Sequence, residues 1–153
     1  MRTFKYFAAL VALLGFGSCD IERTYYFVER ITLHEIPNFS QDANESGNDI
    51  LPEIFIEITD IDKHIVWSSQ YFSNVDSSKF PIDFELDNIM ELNNSDFFLD
   101  VYDFDNLNQG VHDHLGGIVF PGRGNSSTYY TQYENTTLSG TISITVDMLV
   151  ERE

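Results

Sequence analysis

A chain of 153 residues, 42% hydrophobic and 14% aromatic, holds enough apolar side chain for one ordinary domain and too much for disorder. Thirteen Phe and eight Tyr among β-branched runs favour strands over helices. Acidic residues outnumber basic ones 25 to 8, so the surface repels polyanions such as nucleic acid and anionic membranes and attracts cations.

The chain opens MRTFKYFAALVALLGFGS, with Arg2 and Lys5 ahead of an apolar stretch from Phe7 to Leu14. Such a stretch is shorter than the roughly 20 residues that span a bilayer, and it has the layout of a secretory signal peptide over 1–18. Small residues Gly17 and Ser18 lead into Cys19, the one cysteine of the chain. This arrangement resembles the lipobox of bacterial lipoproteins. The resemblance implies cleavage before Cys19, lipidation of its thiol, and a lipid-anchored place in the cell envelope, at the periplasmic face or the cell surface. A plain signal peptide with an incidental cysteine is the alternative. A single cysteine excludes a disulfide framework and a cysteine-based metal site. Two acyl chains suffice for stable anchoring, so no spanning segment is required. Once 1–18 are removed, 135 residues remain, with 6 basic against 25 acidic, a net charge of −19.

Residues 19–24 read as the lipidated cysteine and a short polar tether, and 25–153 as the folded domain. The runs follow in order: Tyr25–Glu35; Ile54, Ile56 and Ile58; His64–Gln70; Phe80, Ile82, Phe84 and Leu86; Asp96–Asp103; Leu115–Phe120; Thr128–Tyr133; and Ile142, Ile144, Val146 and Met148. Several alternate apolar and polar residues, the period of a half-buried strand. Between them lie loops rich in Asn, Asp, Ser and Gly at 38–50, 74–79, 106–114, 122–127 and 134–140. Eight such strands, with no convincing helix, predict an all-β, eight-stranded antiparallel β-sandwich.

The stretch most informative about chemistry is DFFLDVYDFDNLNQGVHDHLGG. Asp103 and Asp105 are two apart on a strand and project to one side. Carboxylates held together repel unless a cation lies between them, and Asp113 follows at the far end of a polar loop. Three acids on a loop are the hard oxygen donors that calcium takes. Carboxylates on a solvated sandwich edge are the other reading.

VYDFD, a polar loop, an Asp, an apolar residue and Gly together resemble the third calcium-binding loop of C2 domains, the β-sandwich modules of protein kinase C and synaptotagmin. SSKFPIDFEL and the closing Gly140-Thr141-Ile142-Ser143-Ile144 are similar to strands of that family, in the same order. The resemblance covers roughly residues 27–149. It implies calcium ligands at Asp103, Asp105 and Asp113, with Glu53 in place of the first-loop aspartate. An upstream ligand falls to Asp49, with Asp42 and Glu45 as alternatives.

The remaining motifs carry less. His112 and His114 flank Asp113, yet lack further zinc or iron ligands at a recognisable spacing. Trp67 sits in an apolar run and reads as core. GRGN at Gly122 is a flexible turn without the strand–loop–helix context of a phosphate site. No nucleophile motif is present, which points away from an enzyme. Where lipid-binding C2 domains often carry a lysine-rich strand, ITDIDKHIVWSSQ offers only Lys63. Leu107 and Val111 are the apolar residues available at a loop tip. The expectation is a non-enzymatic, membrane-anchored module that binds calcium and recruits phospholipid headgroups or an envelope protein. The alternative is a calcium-independent protein–protein interaction module.

Overall fold

The structure, a computed structural model, describes residues 22–39, 51–104, 112–134 and 138–153. These form nine strands: β1 (Thr24–Glu35), β2 (Asn38–Phe39), β3 (Ile54–Thr59), β4 (Ile65–Ser68), β5 (Ile82–Leu92), β6 (Asp96–Asp103), β7 (Asp113–Pro121), β8 (Ser127–Glu134) and β9 (Leu138–Arg152). A single 3-10 turn, Ser77–Lys79, follows the capping carboxylate of Asp76. The count is nine rather than the expected eight. The extra strand is β2, two residues of the expected loop at 38–50, which pair Asn38 with Ser139 and Phe39 with Leu138. Two residues carry no periodicity, so pairing alone defines this strand.

All pairings are antiparallel. One sheet has five strands, with β1 between β9 and β5, β8 on β9, and β2 also pairing with β9. The other runs β4-β3-β6-β7. Inward side chains of both sheets meet in one core that includes Ile31, Leu33 and Ile144 from the first and Ile56, Leu99 and Val101 from the second. Each such side chain contributes about 1.5–3 kcal/mol by leaving water.

Alternation dictates this burial. Along β6, Phe97, Leu99, Val101 and Asp103 are buried while Phe98, Asp100 and Tyr102 are not. β9 repeats the pattern at Ile142, Ile144, Val146 and Met148. Strict alternation fails in β1, where Val28 and Ile31 are both fully buried. The register slips between Val28 and Arg30 against both neighbours, and this bulge turns Ile31 and Leu33 inward again. Trp67 is half-buried and packs against the core from β4, only partly meeting its expected core role.

The register of the four-stranded sheet separates two ends. Ile54 faces Asp103 and Asp103 faces Asp113, so the start of β3, the exit of β6 and the entry of β7 share one end. Thr59 faces Phe98 at the other, where the chain turns from β3 into β4.

Candidate functional site

Asp103 occupies an inward position at the last residue of β6 and is only 8% exposed. Its Oδ1 accepts a hydrogen bond from the Glu53 backbone amide at 2.7 Å. The Glu53 carbonyl in turn accepts from the Phe104 amide at 2.7 Å. Strand β3 is thereby fastened to the point where β6 ends. Asp113 is the cross-strand partner of Asp103. Of the expected calcium ligands, Glu53, Asp103 and Asp113 thus lie at one end of one sheet. Asp49 and Asp105 lie outside the described residues, as do Cys19, Leu107 and Val111.

A second acidic group sits at the opposite end of β3, roughly 20 Å away at strand rise. Among the described residues, only Asp60, Asp62 and His64 bring three potential ligand atoms within 4.8 Å of one another. Sequence reasoning did not single them out, although the DIDKH spacing was visible. Turn chemistry accounts for their closeness. Asp60 Oδ1 accepts from the amides of Asp62 and His64, both at 2.9 Å, and Oδ2 lies 3.2 Å from His64 Nδ1. The His64 amide is the largest influence holding the Asp60 carboxyl below its ordinary pKa. Lys63 takes a left-handed backbone in this turn, φ 66°, and lays its ammonium 3.2 Å above the Phe98 ring centre. The lone lysine of the segment is thus engaged in a cation–π contact.

The outward face of the four-stranded sheet holds a ring cluster that the sequence reading missed. Phe55, 7% exposed, stacks on Tyr102 at 5.3 Å between centroids. Phe104 lies between Tyr71 and His112, each 4.9 Å away and nearly parallel to it. Phe55, Tyr71, Phe104 and His112 border a cleft of about 640 Å³ whose other lining includes Glu57, Ser68 and Gln70. Glu57 faces Asp100 directly across the ladder, and Asp100 Oδ1 accepts a hydrogen bond from His114 Nε2 at 2.9 Å. Burial first, then the nearby Asp100 and Glu57 charges, raise the Tyr102 phenol above its ordinary pKa. His112 and His114 are therefore a ring partner and a carboxylate partner. The signal was available: outward positions of a solvated sheet are ordinarily polar, yet here they read Phe55, Phe98 and Tyr102.

No family model matches the sequence, and no curated protein matches it. The backbone is similar to a solved C2 domain at a TM-score of 0.50, with 12% identity over 82% of this chain and 98% of that one. The fold is that of a C2 domain. A C2 domain of plant extended synaptotagmin 1 is also similar, with a TM-score of 0.49 and 11% identity over 85% of this chain and 94% of that one.

In this C2-like domain the buried Asp103 marks where β6 gives way to the segment leading to Asp113. GRGN, read as a flexible turn, is instead packed at its first residue. Gly122 is buried, and its amide donates to the Ser95 carbonyl at 2.8 Å.

Proposed function

We propose that the chain is a non-enzymatic, calcium-binding C2-like module, held at a bacterial cell envelope by lipid on Cys19. On this reading its acidic end recruits a phospholipid headgroup or an envelope protein. The observation that carries the proposal is Asp103, buried at the strand end, cross-strand to Asp113 and fastened to the backbone of Glu53. The donor chemistry fits, since carboxylate oxygens are what calcium takes. Asp103, Asp113 and Glu53 would hold the ion, with Asp105 and Asp49 completing the set. Calcium, when bound, supplies positive charge and open coordination positions to phosphate or carboxylate oxygens. The protein supplies a rigid mount: burial and the Glu53 amide fix the Asp103 carboxylate before any ligand arrives.

The test is calcium titration followed by amide chemical shifts. Shifts that saturate at Glu53, Asp103 and Asp113, with none at Asp60–His64, support the reading. Saturating shifts confined to Asp60–His64 would move the site to the other end of the sheet.

One observation favours the calcium-independent alternative. Asp103 Oδ1 already serves a structural purpose at the Glu53 amide, so its carboxylate has a role in the fold without any ion. A chain whose stability and shifts ignore calcium would be an interaction module that retains the sandwich alone.

A further inference from the structure

The ring-lined cleft on the outward face belongs to neither acidic group, and its lining combines aromatic rings with hydrogen-bonding side chains. Phe104 stacks with both Tyr71 and His112, while Tyr71 is 52% exposed. The lining also includes Glu57, Ser68 and Gln70, residues whose side chains can accept hydrogen bonds. No Lys or Arg lines the cleft, and Glu57 forms no ion pair among the described residues. Like charges directly opposite on a ladder are destabilising, and since His114 meets Asp100, Glu57 is the member of the pair that a further cation would relieve. A cleft of about 640 Å³ is also within the usual range for ligand sites.

Beside the cleft runs β4, which pairs with β3 and with no other described strand. Ile65, Val66, Tyr71 and Phe72, on β4 and the chain leaving it, are 59, 43, 52 and 41% exposed. An edge strand carrying exposed apolar side chains is a template for a further strand.

We propose that the β4 edge and its cleft receive an extended segment of a partner protein that carries an arginine, whose guanidinium lies on Tyr71 and is accepted by Glu57. A guanidinium fits better than an ammonium. It is planar, weakly hydrated, stacks on rings, and directs several N–H donors in one plane toward carboxylate, hydroxyl and carbonyl oxygens. Main-chain pairing along β4 supplies affinity, and the cleft selects the side chain. The net charge of −17 draws a basic segment toward the surface. This site goes beyond the calcium reading and does not rest on it.

The experiment offers the full chain, in chelator, a capped pentapeptide with one arginine between valines and threonines. Amide shifts should appear at Ser68–Phe72 and Glu57, with ring-proton shifts at Tyr71. Replacing the arginine by neutral citrulline should weaken binding by roughly tenfold or more, the scale of a hydrogen bond to a charged group. Glu57→Gln should remove the difference between the two peptides, Tyr71→Ala should weaken both, and Tyr71→Phe should bind like the wild type. Equal affinity for arginine and citrulline peptides would overturn the proposal. So would absence of binding at millimolar peptide, or free arginine binding as tightly as the peptide, which would make this a small-molecule site. Because chelator is present throughout, these outcomes are independent of whether the acidic end binds calcium.

Discussion

The carboxylate of Asp103 and the amide of Glu53 meet at 2.7 Å across the β6–β3 boundary. Asp103→Ala leaves a part-buried donor without its acceptor and should cost about 1–3 kcal/mol. Asp103→Asn keeps a carbonyl acceptor and should cost much less. Both variants should lose the calcium-dependent stabilisation of the wild type. That gain is about 1.4 kcal/mol at ten times the Kd, for a Kd on the order of 10⁻⁴–10⁻³ M. Denaturant unfolding with and without calcium separates the two effects. A calcium gain that survives in Asp103→Asn would remove Asp103 from the ligand set.

Gly122 tests the packing beneath the expected turn. An added Cβ would press on the Asn93 carbonyl, and would lie 2.7 Å from both the Ser95 carbonyl and the Phe97 ring. Backbone oxygens cannot yield as a flexible side chain can, so Gly122→Ala should destabilise the domain by about 1–3 kcal/mol. Gly124, with φ at 131°, has nothing within 4 Å of its Cβ position, so any cost there is backbone strain alone. Thermal melting of Gly122→Ala matching the wild type would refute this packing.

How far the sequence carries can be argued from these elements. Each of the eight predicted runs coincides with a strand, because strands that bury one face carry period 2, although β4 and β8 bury no residue fully. The bulge at Val28–Arg30 breaks that period locally, and β2 is too short to show one. Sheet order depends on long-range pairing, such as Ile54 with Asp103, which no local pattern encodes. At the acidic end, the VYDFD resemblance led to Asp103 and Asp113, which the ladder then pairs. Glu53 stood out for its carboxylate, whereas the contact seen is through its backbone. The ring cleft leaves no periodic trace, because Phe55 points outward and Tyr71, Phe104 and His112 gather there only through tertiary contact.

The Asp60 turn predicts a pH dependence. Hydrogen bonds from the His64 and Asp62 amides hold the carboxyl below its ordinary value of 3.8. For a depressed acid, the stabilisation is present above the unfolded pKa and is lost as pH falls through the folded one. The loss should therefore begin below about pH 4. Carboxyl-carbon titration should place the Asp60 midpoint beneath that of an exposed aspartate, and Asp60→Ala should shift the His64 amide. A midpoint at the ordinary value would mean the turn is open in solution.

Lipidation is tested directly at Cys19. Its place after Gly17 and Ser18, and the lack of any other cysteine, motivate the claim. Metabolic labelling with a fatty-acid probe should mark the wild type and spare Cys19→Ala. Equal labelling of both, or of neither, removes the anchor from the proposal.

Vesicle binding separates a phospholipid partner from a protein one. With a net charge of −19 from Asp20 onward, the surface is repelled by anionic lipid. Lys63, the basic residue of the segment where lipid-binding C2 domains often carry several, is occupied over Phe98. Attachment to phosphatidylserine or phosphatidylglycerol vesicles should therefore require calcium, reverse in chelator and weaken with salt. The chain from Asp20 onward, without the acyl chains or the apolar 7–14 stretch, isolates this attachment. Leu107→Asp or Val111→Asp should reduce it at unchanged calcium affinity, because an apolar side chain offers no ligand to the ion and an added carboxylate is repelled by anionic lipid. Asp103→Asn should abolish it together with calcium binding. Calcium binding without vesicle attachment would assign the acidic end to a protein or glycan partner, and attachment that persists in chelator would contradict the electrostatic argument.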